Sequence, residues 1–176
     1  MLDLEIVQSD SGSAEQARQV LALCNLAYGE NLSHLFQSFG PSTHVVGTCE
    51  GQLVTHAMWV TRWLQPGAAG PLKTAYIEMV ATHPEYQRRG FASLAMRRLV
   101  DEIPGSYVLA ALCPATPALY ARLGWRFWQG PLRIRMDGGR LVDTPYERVM
   151  VLALPGRPRL DLDDPLSAEW REGEAW

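Results

Sequence analysis

Two side chains in this sequence are suited to moving protons from positions where solvent is not the obvious partner. Glu78 interrupts an apolar run, Tyr76-Ile77-Glu78-Met79-Val80-Ala81. A strand of that composition is usually covered on both faces, so its carboxylate either opens onto a cleft or is paired within the sheet. In a cleft it could take the proton of a substrate ammonium, directly or through water. Tyr120 follows a second apolar run, Ser106 to Leu112. A phenol has a reference pKa of ~10, so it stays protonated near neutrality and can give its proton to a leaving anion. The alternative is a core aromatic with a hydrogen-bonded hydroxyl.

A third feature is suited to holding an anion. Gln87-Arg88-Arg89-Gly90-Phe91-Ala92 lies between the apolar run ending at Thr82 and a segment with helical spacing. A helix N-terminus offers unpaired backbone N–H groups and the positive end of the helix dipole. Gly90 removes a Cβ that would block close approach of a phosphate, and Ala92 keeps the first turn small. Arg88 and Arg89 add positive charge. An ordinary turn with a solvated basic pair is the competing account. His56 and His83 lack partners at metal-ligand spacing and read as structural or solvated. Cys113 reads as a small core residue, because nothing near it in sequence marks an activated thiolate.

The elements that must position these groups follow from periodicity. Leu2 to Val7 alternates as a half-buried strand. Ser13 and Gln16 fit a capping box opening a helix over 14–28, and Leu32 to Phe39 fits a second short helix ended by Gly40-Pro41. His44 to Cys49 and Leu53 to Trp63 read as a hairpin around Glu50-Gly51-Gln52, and Gln65 to Leu72 as a loop. Lys73 to Thr82 is a central strand. Leu94, Ala95, Leu99 and Val100 give the next helix its apolar stripe. Ser106 to Leu112 is a strand, Pro114 to Leu123 a helix stopped at Gly124, and Trp125–Trp128 and Tyr146–Leu154 are closing strands. Trp59, Trp63, Trp125 and Trp128 read as core or cleft wall. The order is α+β: a mixed central β-sheet flanked by helices, with a βαβ crossover late in the chain.

The totals restrict the function classes. The 176 residues suit one domain, 1–176, whose last part, about 156–176, forms an acidic and aromatic tail. The net charge of −3 does not suit a general nucleic-acid binder and does suit a small cationic substrate. Three widely spaced cysteines make neither a metal nor a disulfide framework. The start, MLDLEIVQSDSG, lacks the marks of a signal peptide, and no apolar run reaches the ~18 residues of a membrane helix, so a cytoplasmic location is expected.

Gln87 to Ala92 resembles the acetyl-CoA pyrophosphate loop of the GNAT acyltransferases, Q/R-x-x-G-x-G/A. Leu119-Tyr120-Ala121-Arg122-Leu123-Gly124-Trp125 resembles a second signature of that family, L-Y-x-x-x-G-[WF]. The resemblance implies a GNAT fold and acetyl-CoA as acetyl donor, with no metal. It places the pyrophosphate at Gln87, Arg88, Arg89, Gly90, Phe91 and Ala92, held by main-chain amides from Arg88 to Ala92. The pantetheine arm pairs with Val80 and Thr82, and Tyr120 is the general acid.

Further motifs are similar to the aminoglycoside 2′-N-acetyltransferases: Tyr76-Ile77-Glu78-x-Val80-Ala81, Gly124-Trp125-x-x-Trp128-x-Gly130-Pro131, and Trp170-Arg171-x-Gly173-Glu174-x-Trp176. This match runs from about residue 44 onward and is weaker before it. It implies that Glu78 relays the proton of a 2′-amine through water. Glu174 and the carboxylate of Trp176 would hold ammonium groups of the antibiotic, and a homodimer would form. Trp63 and Tyr146 could anchor such an interface or sit in the core.

One loop departs from that pattern. The family's first substrate loop carries two acids, as in G-D-F-x-x-x-D-[WF]. Here the stretch is Gly29-Glu30-Asn31-Leu32-Ser33-His34-Leu35-Phe36. Glu30 replaces the first acid and Leu35 stands at the second. The missing carboxylate favours an antibiotic with a neutral inositol there, with Leu35 or Phe36 against its ring, and kasugamycin is such a compound. Acetylation of another small amine or a peptide N-terminus is the second reading. A catalytically silent acetyl-CoA-binding module is the third.

Overall fold

A computed structural model describes residues 1–157 and 159–176; Pro158, inside the expected 156–176 tail, lies outside the described residues. The chain forms two compact units. The first is Met1–Val60 with Ile77–Ile103, and the second is Thr61–Tyr76 with Pro104–Trp176. Two long strands, β3 (Gln52–Pro66) and β4 (Leu72–Thr82), contribute residues to both.

In the first unit, β1 (Leu2–Gln8) runs antiparallel to β2 (Ser42–Cys49), which runs antiparallel to β3. Helix α1 (Ala14–Tyr28) opens with the expected capping box. Ser13 Oγ accepts from Gln16 N at 3.1 Å, and Gln16 Oε1 accepts from Ser13 N at 3.0 Å. The two bonds satisfy donors that a helix start leaves unpaired. The helix ends at Gly29, whose φ of 74° closes it in the left-handed region. A short helix α2 (Ser33–Ser38) follows, its start tied to α1 by Leu32 N donating to Asn25 Oδ1 at 2.8 Å. Helix α3 (Phe91–Asp101) packs on β1 and β2. It buries Ala95, Met96 and Leu99, and Leu94 is exposed, which corrects the expected stripe. At about 100° per residue, Leu94 falls on the far side of the Ala95–Met96–Leu99 face.

In the second unit, β4 pairs in parallel with β5 (Leu109–Leu112) over Thr74–Tyr76. Strand β5 pairs with β9 (Met150–Ala153), and β9 with β6 (Arg126–Phe127), both antiparallel. Helix α4 is only Pro117–Ala121. Ser106 and Tyr107 are not strand: Tyr107 N turns back to Pro104 O at 3.0 Å. Trp63 and Tyr146 are exposed, at 47% and 97%, so neither is core.

Three strands were not legible in the sequence: β7 (Leu132–Arg135), β8 (Leu141–Asp143) and β10 (Leu166–Glu169). Strand β10 lies between β3, antiparallel at Pro66 and Gln65, and β7, parallel from Leu132 to Arg135. Its pairing is why β3 extends through Gln65 and Pro66, where a loop is expected from the sequence. Among the described residues no helix is long and apolar enough to cross a membrane.

The sequence Leu-Ser-Ala-Glu has weak intrinsic strand preference, so tertiary contacts must place β10. Two supply this. Arg62, 1% exposed, donates to Glu169 O at 2.6 Å and to Ala175 O at 2.9 Å. The Gly130 region receives the preceding segment: Gln129 N and Gly130 N both donate to Leu162 O, and Trp128 Nε1 donates to Asp164 O at 2.6 Å. A Cβ on Gly130 would stand 1.9 Å from Asp164 O and 2.5 Å from Asp163 O, both backbone atoms that cannot swing away. Gly130→Ala is therefore expected to destabilise the protein by about 2–3 kcal/mol, the upper range for overpacking. The measurement is urea unfolding, read as a lower midpoint at unchanged slope.

Candidate active site

The first unit carries the anion-binding geometry. Strand β4 ends at Thr82, and a 3-10 turn at Pro84–Tyr86 leads into α3, with His83 Nδ1 accepting from Glu85 N at 3.3 Å. Gln87 Nε2 donates to Thr82 O at 3.3 Å, which ties the loop to the strand end. The Tyr86 ring stacks on Phe91 at 6.3 Å and lies 4.9 Å under the Arg89 guanidinium. Arg88 and Gly90 adopt φ of 61° and 82°. Left-handed backbone at both positions turns the loop so that α3 begins at Phe91, with Leu94 N donating to Gly90 O at 3.0 Å. The first-turn amides before Leu94 have no intrahelical carbonyl to meet. A Cβ built on Gly90 meets nothing within 4 Å, so the space beside the helix start is open. Open space, a left-handed glycine, free first-turn amides and an exposed arginine pair form a cradle that fits a pyrophosphate.

Strand β4 alternates cleanly beyond Tyr76. Ile77, Met79 and Ala81 are buried, while Glu78, Val80 and Thr82 are half-buried and share the other face. The expected catalytic carboxylate and the two expected pantetheine contacts are thus on one side of one strand. Thr82 Oγ1 lies 3.0 Å from Thr55 Oγ1, and Val80 O accepts from the Tyr28 hydroxyl at 3.2 Å. Tyr28, the last residue of α1, was not singled out from the sequence. Met79 has φ of 52°, a conformation that costs a non-glycine residue about 1–2 kcal/mol.

A buried polar chain ends at this strained residue. Ser42 Oγ lies 2.9 Å from His44 Nε2, His44 Nδ1 lies 2.9 Å from His56 Nε2, and His56 Nδ1 lies 2.7 Å from Met79 O. Both rings are buried. Burial holds the His44 pKa down to about 4; burial and then the neighbouring His44 hold that of His56 down to about 3. Reading the hairpin outward from its turn conceals this pair. Cys49 pairs with Gln52 and Thr48 with Leu53, but the register then skips Val54, so that Gly47 faces Thr55 and His44 faces Met58. The extra residue turns His56 onto the face of His44. Gly47 was the available signal: a Cβ there would come within 2.4 Å of Thr55 Cγ2.

The remaining first-unit residues belong to the expected substrate loop. Glu30 is exposed just beyond α1, and Leu35 and Phe36 are half-buried on α2. The Phe36 ring centre is 6.4 Å from that of His44.

The second unit holds the residue expected to act as general acid. Tyr120, 8% exposed, lies on α4 with its ring edge-to-face to Trp125 at 6.2 Å. Burial pushes its phenol pKa up to about 12, which keeps the proton on oxygen near neutrality. Cys113 is exposed and its thiol donates to Glu147 Oε2 at 3.7 Å, which corrects the core placement expected for it. Desolvation first, then the Glu147 and Glu174 carboxylates, push that thiol up to about 11. The expected substrate-binding tail is anchored. Trp176 is 3% exposed with its indole N–H on Thr144 Oγ1 at 2.8 Å, Arg171 Nε donates to Glu174 O at 2.6 Å, and Arg62 holds Ala175 O. The Glu174 residue is exposed between these anchors. Among the described residues no cluster of His, Cys, Asp or Glu could hold a metal ion.

Comparison with known proteins agrees with this geometry. The acetyltransferase (GNAT) domain family matches residues 10–128. An aminoglycoside 2′-N-acetyltransferase of Mycolicibacterium fortuitum is 30% identical over 132 residues, which cover 72% of this chain and 67% of that protein. Among solved structures, Eis1 from Mycobacterium abscessus has a TM-score of 0.64 at 18% identity. That match covers 77% of this chain and 34% of Eis1, so the chain spans about a third of that protein's length. The GNAT-family N-acetyltransferase YhbS of Escherichia coli, solved with CoA, has a TM-score of 0.61 at 18% identity and covers 98% of this chain and 92% of its own. The strand-loop-helix cradle at Gly90, the mixed sheet around it and the family match over more than half the chain lead to one conclusion: the chain belongs to the GNAT acetyltransferases.

Proposed function

We propose that this protein transfers the acetyl group of acetyl-CoA to the 2′-amine of an aminoglycoside. The observation that carries the proposal is the anchored tail: Arg62, Arg171 and Trp176 hold the backbone on either side of the exposed Glu174 side chain. A small polycation needs fixed carboxylates, and a chain end without these anchors would not provide one. The similarity to the aminoglycoside 2′-N-acetyltransferase supports the choice of substrate.

The cradle of Gln87, Arg88, Arg89, Gly90, Phe91 and Ala92 holds the pyrophosphate through backbone amides, and Val80 and Thr82 receive the pantetheine arm. Bound acetyl-CoA supplies the thioester. Glu78 takes a proton from the substrate ammonium through water, which frees the nitrogen lone pair. The amine nitrogen attacks the thioester carbonyl carbon, the C–N bond forms, the C–S bond breaks, and the nitrogen's second proton is released to water as the neutral amide forms. Tyr120 gives its phenolic proton to the departing thiolate.

Three outcomes test this reading. Gly90→Glu fills the cradle with bulk and negative charge at an exposed position, so acetyl-CoA binding should be lost while the fold is kept. Calorimetry checks it, and unchanged affinity would remove the cradle from the cofactor site. Tyr120→Phe keeps the ring and removes the donor, so kcat should fall roughly tenfold to thousandfold with smaller changes in KM. In Glu78→Gln kcat should fall roughly tenfold or more, because the group that accepts the ammonium proton is gone, and steady-state rates at saturating substrate check it.

A further outcome concerns the antibiotic. Leu35, half-buried on α2, stands where the related enzymes carry a second acid, so an ammonium there goes unpaired. A lost charge-assisted hydrogen bond is worth ~1.5–3 kcal/mol, about a tenfold to hundredfold change in specificity. Kasugamycin, with a neutral inositol, avoids that loss and should show a higher kcat/KM than kanamycin at equal salt. Equal or better turnover of kanamycin would reject the preference.

A further inference from the structure

The polar chain from Ser42 to Met79 has a fixed direction. The Met79 carbonyl has no hydrogen to give, so His56 Nδ1 carries the proton and donates to it at 2.7 Å. A neutral imidazole has one N–H, so His56 Nε2 is bare and accepts from His44 Nδ1 at 2.9 Å. His44 Nε2 is then bare in turn, and Ser42 Oγ donates to it at 2.9 Å. One carbonyl thus sets both tautomers and the hydroxyl rotor. Protonating either ring would break this order by placing a donor against a donor. The groups that face the pair are Cys24 of α1, whose Sγ lies 3.8 Å from His56 Nδ1, Phe36 of α2 and Met79 of β4. Burial pushes the Cys24 thiol up to about 12, so it brings no negative charge to the pair.

The chain cannot serve as a proton relay, because it ends on a peptide carbonyl that neither releases nor retains a proton. What it can do is hold that carbonyl. Met79 is the one residue of β4 with positive φ, and it stands between Glu78 and Val80. We infer that Ser42, His44 and His56 are positioning residues: by holding the Met79 carbonyl they fix the left-handed kink of β4, and with it the directions of the Glu78 carboxylate and the Val80 peptide. The inference rests on the assignment of Glu78 to the amine proton and Val80 to the pantetheine arm.

The test contrasts two amides at one position. The Asn side-chain nitrogen falls near the site of imidazole Nδ1, and the Gln nitrogen near that of Nε2. His56→Asn therefore keeps a donor for Met79 O, and His56→Gln does not. The first readout is free of turnover: the amide 1H–15N shifts of Glu78, Met79 and Val80 in the substrate-free protein should move in His56→Gln and lie near the wild-type positions in His56→Asn. The second is kinetic: kcat for the best amine acceptor should fall at least tenfold in His56→Gln, with its pH profile displaced, and recover to within about threefold in His56→Asn. If both variants unfold, His44→Asn and His44→Gln give the same contrast one link back. Equal shifts and equal rates in the two variants would overturn the inference. Shifts that separate the variants without any aminoglycoside turnover in the wild type would uphold the positioning role and overturn the proposed substrate instead.

Discussion

Strand β4 has to bury one set of alternate residues while leaving the other set half-buried, and the rest of the first unit is arranged around that constraint. Ile77, Met79 and Ala81 fill the interior, while Glu78, Val80 and Thr82 remain within reach of solutes. A regular strand would satisfy the Met79 carbonyl in the backbone ladder. The left-handed turn at Met79 takes it out of that pattern, and a buried carbonyl left unpaired would be expensive. The His56 imidazole answers that need, and its own second nitrogen passes the requirement to His44 and then to Ser42. The bulge that skips Val54 exists in the same hairpin, since without it His44 and His56 would face opposite sides of the sheet. The left-handed residue on β4, the bulge in β3 and the two buried histidines therefore form one connected arrangement.

The second unit is governed by a buried cation. Arg62 carries five N–H donors into the interior, and such a group needs acceptors in a matching fan. The carbonyls of Glu169 and Ala175 supply two, the Glu169 carboxylate approaches Nε at 3.5 Å, and the Tyr76 ring lies 5.0 Å away. The acceptors come from the C-terminal segment, so satisfying the guanidinium and docking the tail are the same event. The adjoining requirement is steric: backbone at Asp163 and Asp164 runs through the place where any residue but glycine at 130 would put a side chain.

The elements with strong local signals were legible in the sequence. The Ser13–Gln16 capping box fixed the start of α1, and the run from Lys73 to Thr82 announced β4. The strand-loop-helix passage at Gly90 was legible for the same reason: a glycine between an apolar strand and a helix marks a turn, and Gly90 adopts the left-handed conformation. What was hidden depended on long-range partners. In β7, Leu132 and Ile134 alternate with Arg133 and Arg135 over only four residues, too few to establish a period. Nothing in Leu-Ser-Ala-Glu announces β10, because its acceptors matter more than its side chains. His56 reads as structural or solvated; its burial excludes the second, but its link to Met79 could not be read without the bulge. Cys113 reads as core from the lack of an activating neighbour in sequence, but it lies one residue past the end of β5 and is exposed.

The place of β10 between β3 and β7 also has a consequence for how the protein comes into being on the ribosome. Both neighbours are synthesised before Leu166–Glu169 exists, so the edges at Gln65–Pro66 and Leu132–Arg135 must wait without their partner, and the Arg62 guanidinium waits without its carbonyls. Exposed strand edges are templates for pairing with other chains. The nascent polypeptide is therefore prone to aggregation in the interval before Leu166–Glu169 emerges. Charged side chains already on those waiting strands, Arg133 and Arg135 on β7, act as gatekeepers during that interval before Arg135 takes up its final bonds to Ser167.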